Sequence, residues 1–134
     1  LPVWPWVEAV KGFGPLGLGI IVGEAGDIGS YSNPAKLWKR MGVAVINGEA
    51  QAKHRDPQLA LEHGYNPRRH SALWTITDSL LRTNDDGYRA IYVGRREHTA
   101  ETHPDWTKMH SHRDGQRIVA KRLLRDLWRA WRQE

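Results

Sequence analysis

The residues with the clearest chemical potential form a glycine-rich turn near the start of the chain. Residues 11–16 read Lys-Gly-Phe-Gly-Pro-Leu, and apolar side chains recur at helical spacing on both sides of them. Glycine at 12 and 14 lets the backbone turn sharply and approach an anion closely. The amides from Gly14 onward would then open the N-terminus of a helix, where backbone N–H groups and the helix dipole bind phosphate. The pattern predicts a phosphate-binding helix-hairpin-helix, and a purely structural turn between two helices is the alternative.

A surplus of positive charge is the second feature with chemical meaning. Residues 1–107 carry as many acidic as basic side chains, so the whole net charge of +5 lies in residues 108–134. Such a local excess favours a polyanionic partner, with a solvated helix face as the alternative. Contacts of this kind reach the backbone of a nucleic acid and not its base sequence. The candidate nucleic-acid-binding residues are Lys11, Gly12, Phe13, Gly14, Leu16, Lys36, Lys39, Arg40, Arg117, Lys121 and Arg125.

Histidines in the last third of the chain are candidate metal ligands. His103, His110 and His112, together with Asp105, offer the nitrogen and oxygen atoms that bind zinc or another divalent ion. Their spacing is not diagnostic of a zinc site, so contact with phosphate or RNA and an ordinary surface or capping role stay open. The sequence therefore predicts no cofactor in this domain, and these histidines are the candidate ligands if a metal binds.

Two absences exclude several functional classes. The sequence has no cysteine, which excludes a disulfide scaffold, a cysteine nucleophile and a thiolate metal site. No apolar run approaches the roughly 18 residues that a membrane span needs, so we expect no membrane partner. The lack of cysteine also fits a reducing compartment, and we expect a cytoplasmic protein. The chain begins at Leu1 without an initiator Met, from which we expect a domain cut from a longer protein.

Helices are the elements that must position these residues. Asn-Pro pairs at 33–34 and 66–67 are typical helix starts, and residues 116–131 should form one continuous helix. Three of its side chains are expected to be buried: Leu124, Leu127 and Trp131. Hydrophobic periodicity predicts five to six helices, at residues 3–10, 16–25, 34–41, 67–83, 88–101 and 116–132.

The remaining segments read as short strands and turns. Residues 43–46 are a candidate strand before the hairpin-type turn Asn47-Gly48. Residues 49–66 read as a loop with one helical turn at 58–62, and Asp85-Asp86 as part of a turn. The predicted fold class is mainly α, in one domain over residues 1–134. It comprises the helix-hairpin-helix at about residues 3–26, a small helical bundle at 32–133 and, as an option, one short β-hairpin.

Aromatic side chains are expected to supply much of the core. Phe13, the only phenylalanine, is predicted to insert between the first two helices and to be buried. Trp38, Trp74, Trp128 and Trp131 lie on apolar helix faces. We therefore assign these rings to the core rather than to base stacking.

Beyond the turn itself, a series of short motifs resembles one protein family. The hairpin at residues 10–15 is followed by Gly-Asp-Ile at 26–28, Gly-Val-Ala at 42–44 and Asn-Pro-Arg-Arg at 66–69. In order and approximate spacing, these motifs resemble the C-terminal domain of transposases of the insertion-sequence 110/116/902 group. The segment 104–129 is also similar to proteins of that group, so the resemblance covers most of the chain.

The resemblance implies a DNA recombinase, from which this sequence departs in two ways. In that family a RuvC-like domain binds divalent metal through four acidic residues, the C-terminal domain carries a serine nucleophile, and a structured RNA guides target choice in some members. The RuvC-like part is not in this sequence. Residues 45–51, where the family has its serine, read Val-Ile-Asn-Gly-Glu-Ala-Gln. Since a nucleophile needs a hydroxyl and a route for its proton, catalysis by this domain alone is not expected.

We therefore expect a DNA-binding domain of a transposase-like mobile-element protein, associated with the prokaryotic nucleoid. DNA is the expected partner, with structured RNA, a second copy or the rest of a longer chain as further options. The first alternative is a protein-interaction or dimerisation module anchored by Trp4, Trp6, Trp128 and Trp131. The second is an active serine recombinase fragment, with Ser71 as its candidate nucleophile; the plain alternative is a helix-surface serine.

Overall fold

The computed structural model describes residues 3–84 and 87–132, and it confirms the mainly α fold class. Asp85 and Asp86, read above as turn residues, lie outside the described part of the chain. The elements in chain order are α1 (Trp4–Ala9), α2 (Gly14–Ala25), a 3-10 turn (Ile28–Ser30), α3 (Pro34–Met41), β1 (Val45–Ile46), β2 (Glu49–Ala50), α4 (Pro57–His63), α5 (Pro67–Thr83), α6 (Tyr88–Thr102) and α7 (Lys108–Arg132).

Helix α7 is the longest of these elements, and the core is built along one of its faces. Leu123, Leu124 and Leu127 are completely buried, and α3, α5, α6 and the 3-10 turn all pack against the helix. The continuous helix expected over residues 116–131 is confirmed, as is the burial of Leu124 and Leu127. No helix in the described ranges is both long and apolar enough to cross a bilayer.

The start of α7 lies further upstream than the sequence pattern indicates. The pattern stops at Gly115 because glycine disfavours the interior of a helix. In the structure the Tyr92 ring on α6 lies directly against this glycine, where an added Cβ would stand only 2.8 Å from the ring. Close packing of α6 on α7 therefore carries the helix across Gly115, and α7 begins at Lys108 instead of residue 116.

Short polar side chains fix the helix starts. Asn33 accepts a hydrogen bond at 3.1 Å from an amide in the first turn of α3, and Asn66 accepts two, at 2.9 and 3.2 Å, in α5. Both Asn-Pro starts are therefore confirmed. Thr107 accepts a hydrogen bond at 3.1 Å from the third amide of α7 and so caps the start of that helix.

The segment between α3 and α5 is more ordered than the sequence predicts. Strands β1 and β2 pair antiparallel around the predicted Asn47-Gly48 turn, with Ile46 opposite Glu49, which confirms the short β-hairpin. The loop expected over residues 49–66 contains a seven-residue helix, α4, in place of the single turn expected at 58–62. Hydrogen bonds to the neighbouring hairpin, described below, hold α4 in position.

The tryptophan rings pack against the core at its edge. An indole N–H needs an acceptor, which backbone carbonyls at the core edge provide. Trp38 donates to the Lys121 carbonyl at 2.9 Å, and Trp128 donates to the Tyr31 carbonyl at 2.8 Å. Trp131 is half-buried, which corrects the prediction of a fully buried ring. All four rings assigned to the core are half-buried: Trp38, Trp74, Trp128 and Trp131.

The glycine-rich turn links α1 and α2 as a tight hairpin. Gly12 and Gly14 have φ angles of +92° and +65°, a region that side-chain-bearing residues rarely adopt. Phe13 between them is 6% exposed, which confirms its predicted burial, and its ring centroid lies 5.6 Å from that of Trp6. Gly17 leaves room for the Phe13 ring on α2, since a Cβ there would lie 2.6 Å from it.

The hairpin is held in place by the far end of α5. Ser79 Oγ donates a hydrogen bond to the Gly12 carbonyl at 2.9 Å, and Asn84 Nδ2 donates one to the Lys11 carbonyl at 3.0 Å. A Cβ on Gly12 would collide with Thr83 Oγ1 and lie 3.1 Å from the Ser79 carbonyl oxygen. The two hairpin glycines therefore differ, because a Cβ on Gly14 would have nothing within 4 Å.

This difference predicts unequal effects of two alanine substitutions. Gly14→Ala should lower the free energy of unfolding by about 1 kcal/mol, the cost of a left-handed alanine. Gly12→Ala adds a collision with α5 and should cost about 3 kcal/mol or more. Urea denaturation followed by circular dichroism measures both values. Equal destabilisation by the two variants would contradict the docking of the hairpin on α5.

Candidate nucleic-acid interface

The N-terminus of α2 is open to solvent on the outer side of the hairpin. Gly14 has free space around it, and the Leu16 side chain is 79% exposed. Pro15 offers no amide, so the N–H groups of Gly14 and Leu16 are the ones that an anion could reach. Lys11 is exposed on the same hairpin. The predicted residues of the hairpin divide accordingly: Phe13 and Gly12 position the turn from inside, whereas Lys11 and Leu16 are exposed and Gly14 is half-buried.

The basic residues of α3 adjoin those of α7 through a single tryptophan. Lys36, Lys39 and Arg40 are exposed on α3. Between them on that helix, Trp38 donates its indole N–H to the Lys121 carbonyl, and the Lys121 ammonium lies 4.5 Å from the centre of the Trp38 ring. This cation–π contact places Lys121 at the boundary between the two helices. Burial lowers the pKa of Lys121, and the neighbouring Arg117 and Arg95 lower it further.

Acidic side chains accompany the other two predicted cations of α7. Arg117 donates to Asp114 at 2.9 Å, and Arg125 donates to Asp126 at 3.3 Å. Tyr88 also donates to Asp126, at 2.7 Å; burial and this hydrogen bond raise the Tyr88 pKa. The basic stripe is therefore partly neutralised along its length. A groove of about 210 Å³ runs beside it, lined by Trp38, Ile118, Lys121, Arg122 and Arg125.

Asp114 is a buried carboxylate that two arginines hold in place. Its carboxylate is almost completely buried, and it accepts hydrogen bonds from Arg95 on α6 at 2.6 and 3.3 Å as well as from Arg117. Two guanidinium groups thus face one carboxylate, which suits the bidentate geometry of arginine. The arrangement joins α6 to α7 and leaves a net positive charge around the carboxylate.

The structure does not bring the three histidines predicted as metal ligands together. The rings of His103 and His110 both stack on Trp106, with centroids 4.0 and 3.9 Å from it. His112 Nδ1 instead shares a hydrogen bond with the Tyr92 hydroxyl at 2.6 Å. Only one group of residues in the described ranges places its ligand atoms within metal-binding distance, and none of these three belongs to it.

That group consists of Glu49, His54 and His63, which sequence reasoning missed. The Nε2 atoms of both histidines are buried without a hydrogen-bond partner, and the His63 Nε2 lies 3.8 Å from the Glu49 carboxylate. However, His63 Nδ1 accepts a hydrogen bond from the Ala52 amide at 3.1 Å. A neutral imidazole that accepts at Nδ1 carries its proton on Nε2, so this nitrogen cannot also bind a metal. The geometry does not fit a metal site.

The place of the family's serine is occupied by structural residues. Gln51, at the end of the segment that lacks a serine, is buried and uses its whole amide. Its oxygen accepts from the Ala44 amide at 3.1 Å, and its nitrogen donates to the carbonyls of Lys39 and His63. Ser71 is exposed on α5, and in the described structure its hydroxyl contacts neither a histidine nor an acid. Sequence spacing gave no sign of the Gln51 contacts, because they join residues from three separate elements.

A cavity of about 460 Å³ lies between the β-hairpin, α5 and α7. His70 and Trp74 from α5 form one wall, with their rings stacked at a centroid distance of 4.1 Å. Burial lowers the pKa of His70, which keeps its ring neutral near pH 7. The sequence analysis did not identify this cavity, whose lining is Gly42, Ala50, Gln51, His70, Trp74, His110, Arg113, Asp114 and Arg117.

No protein-family model, no curated protein and no solved structure matches the chain. The resemblance to the 110/116/902 transposases therefore stays a prediction.

The buried carboxylate predicts a large effect of one conservative substitution. Asp114→Asn removes the negative charge but leaves Arg95 and Arg117 facing each other, so the free energy of unfolding should fall by about 3 kcal/mol. Asp105→Asn, at an exposed position between α6 and α7, should change it by less than about 0.5 kcal/mol. Urea denaturation measures both. A fall below about 1 kcal/mol for Asp114→Asn would contradict the assigned ion-pair network.

The lowered pKa of His70 predicts a pH dependence of stability. Below the ordinary imidazole pKa of 6.5, the unfolded chain binds a proton that the folded chain does not, so stability falls as the pH drops from 7 to 5. In His70→Phe this fall should be smaller, because the titrating group is gone and a flat ring remains against Trp74. Urea unfolding at several pH values measures the slope. His98→Phe, at an exposed position on α6, is the matched control; equal slopes in the two variants would overturn the prediction.

Proposed function

We propose that this chain is a DNA-binding domain that contacts the phosphate backbone through the α1–α2 hairpin and the basic surface of α3 and α7. The observation that carries the proposal is the open N-terminus of α2, at Gly14 and Leu16, on a hairpin fixed from behind by α5. Backbone amides at such a position bind phosphate through hydrogen bonds and the helix dipole. The resemblance to the C-terminal domain of the 110/116/902 transposases supports the same function.

The shape of the hairpin also supports the proposal. The Lys11 and Gly12 carbonyls accept hydrogen bonds from Asn84 and Ser79, so the electronegative side of the turn is directed toward the C-terminal end of α5. Lys11 and Leu16 are exposed on the same turn, and Gly14 is half-buried with free space around it. An anion at the turn would therefore meet backbone donors and the Lys11 charge, while two carbonyl oxygens of the turn are already hydrogen-bonded elsewhere.

The basic surface of α3 and α7 supplies the longer-range attraction. Lys36 and Lys39 are exposed on α3, and Lys121 continues this surface onto α7. Because Asp114 and Asp126 neutralise part of Arg117 and Arg125, those two arginines contribute less than their formal charges suggest. Contacts of this kind bind any sequence and weaken as salt rises.

The two alternative functions receive less support from the geometry. In the interaction-module alternative, Trp128 and Trp131 would dock a partner, but both rings are half-buried against the 3-10 turn and its flanking residues. Trp4, at 38% exposure, is the accessible member of the proposed anchors. In the recombinase alternative, the Ser71 hydroxyl makes no hydrogen bond within the described structure, so no route for its proton is visible.

Salt dependence of duplex DNA binding tests the proposal. With four or five phosphate contacts, the affinity should fall by roughly two to three decades between about 50 and 200 mM salt, since each contact contributes about −0.9 to the slope of log K against log salt. Lys121→Met keeps the stem over Trp38, removes one charge and should reduce this slope by about one unit. Lys53→Met, in the loop before α4, should leave it unchanged. Fluorescence anisotropy of a labelled duplex measures all three.

A charge introduced at the hairpin separates its role from that of the basic surface. Leu16→Glu places a carboxylate at the N-terminus of α2, which the helix tolerates but a phosphate does not, and should weaken duplex binding roughly tenfold. Leu16→Gln is the neutral control. If duplex DNA does not bind at low salt, the proposal is wrong; if Leu16→Glu and Leu16→Gln bind equally, the hairpin is a structural turn only.

A further inference from the structure

We propose that the cavity between the β-hairpin, α5 and α7 binds a nucleoside monophosphate unit, with its phosphate on Arg113 and its base against the His70–Trp74 wall. The proposal goes beyond the backbone contacts of the hairpin, because it concerns a different part of the molecule and a single nucleotide. It rests on three properties of the cavity: its size, its uncompensated positive charge and its aromatic wall.

The size of the cavity suits a small ligand. Its volume is about 460 Å³, within the roughly 300–1,000 Å³ usual for pockets that hold small molecules. Three elements contribute to its walls: the β-hairpin with Ala50, α5 with His70 and Trp74, and the first turns of α7. Hydrogen bonds of the buried Gln51 hold the hairpin wall to α3 and α4, so this side of the cavity is preformed.

Positive charge remains uncompensated in the lining of the cavity. The Asp114 carboxylate is satisfied by Arg95 and Arg117, so it does not neutralise Arg113. In residues 3–84 and 87–132, no hydrogen bond or ion pair engages the Arg113 guanidinium. Arg117 also lines the cavity, and its buried Nε has no hydrogen-bond partner. Guanidinium groups of this kind bind phosphate through paired hydrogen bonds.

The aromatic wall of the cavity offers a contact surface for the base of the ligand. The His70 and Trp74 rings stack on each other with an angle of 26° between them, which leaves the outer face of the Trp74 indole for a base to stack on. Bases of any sequence stack on such surfaces, and each stacked base stabilises a complex appreciably. Because the Gln51 amide is fully used inside the protein, it cannot read the edge of a base. We therefore expect weak discrimination between bases and a strong requirement for the phosphate.

Two sources could supply this ligand. One is a free nucleoside monophosphate, and the other is a single unpaired nucleotide in a nucleic acid strand. Both present a base and a phosphate attached to a sugar, as a monoester in the free nucleotide and as a diester in the strand, so the same residues would bind them. A nucleotide that is still paired and stacked in a duplex cannot lay the face of its base on the wall.

Calorimetric titration of the whole chain with adenosine 5′-monophosphate, adenosine and inorganic phosphate tests the proposal. The monophosphate should bind more tightly than either of its parts. Arg113→Gln, at an exposed position on α7, should weaken monophosphate binding about tenfold and leave adenosine unaffected. Trp74→Phe should weaken both ligands while preserving a ring in the wall. Arg122→Gln, exposed on the same helix and outside the cavity, is the matched control and should bind like the wild type.

Duplexes with and without one unpaired adenosine distinguish the two sources. If the unpaired nucleotide increases affinity and Arg113→Gln removes the increase, the ligand is part of a strand. If both duplexes bind alike while monophosphate binding depends on Arg113, the ligand is a free nucleotide. Absence of monophosphate binding, or equal binding by wild type, Arg113→Gln and Trp74→Phe, overturns the proposal. Leu16→Glu should weaken the paired duplex and spare the monophosphate, so failure of this inference differs visibly from failure of the proposed function.

Discussion

Leu123, Leu124 and Leu127 lie completely buried on a helix that also carries most of the protein's excess charge. Each leucine stabilises the fold by roughly 1.5–3 kcal/mol, which is the order of magnitude that a marginal domain needs from a few residues. Burying this face forces the cations of α7 to the edges of the contact with α3, α5 and α6. There Asp114 partly neutralises Arg117, and Asp126 partly neutralises Arg125.

The same constraint connects the two surfaces to which we assign functions. One edge of the buried face of α7 meets α3 at Trp38 and Lys121, which begins the basic surface. Asp114 and Arg117, toward the start of the helix, line the cavity next to α5. Because both surfaces share one helix, a change in the packing of α7 would alter them together. A substitution that affects only one of them must therefore act locally.

Features that depend on a few consecutive residues were predictable from the sequence. The Asn-Pro helix starts, the Asn47-Gly48 turn and the burial of Phe13 each follow from local backbone preferences or spacing, and the structure has all three. The features that sequence reasoning missed join residues far apart in the chain. The Gln51 amide holds three segments together, and the ring of Tyr92 compensates for Gly115 on another helix. No local pattern encodes such contacts, so neither the cavity nor the start of α7 at Lys108 could be predicted from the sequence.

Helix α5 gives the molecule a fixed internal distance. Ser79, near its C-terminal end, holds the hairpin, and His70, near its start, lines the cavity. Nine residue steps along the helix separate them, which correspond to about 14 Å, since each step adds about 1.5 Å along the axis. Stacked bases in DNA repeat every 3.4 Å or so, which makes this distance equal to about four nucleotides. If one strand were bound at both places, the number of nucleotides between the two contacts would be set by the length of α5 and not by the flexibility of a linker.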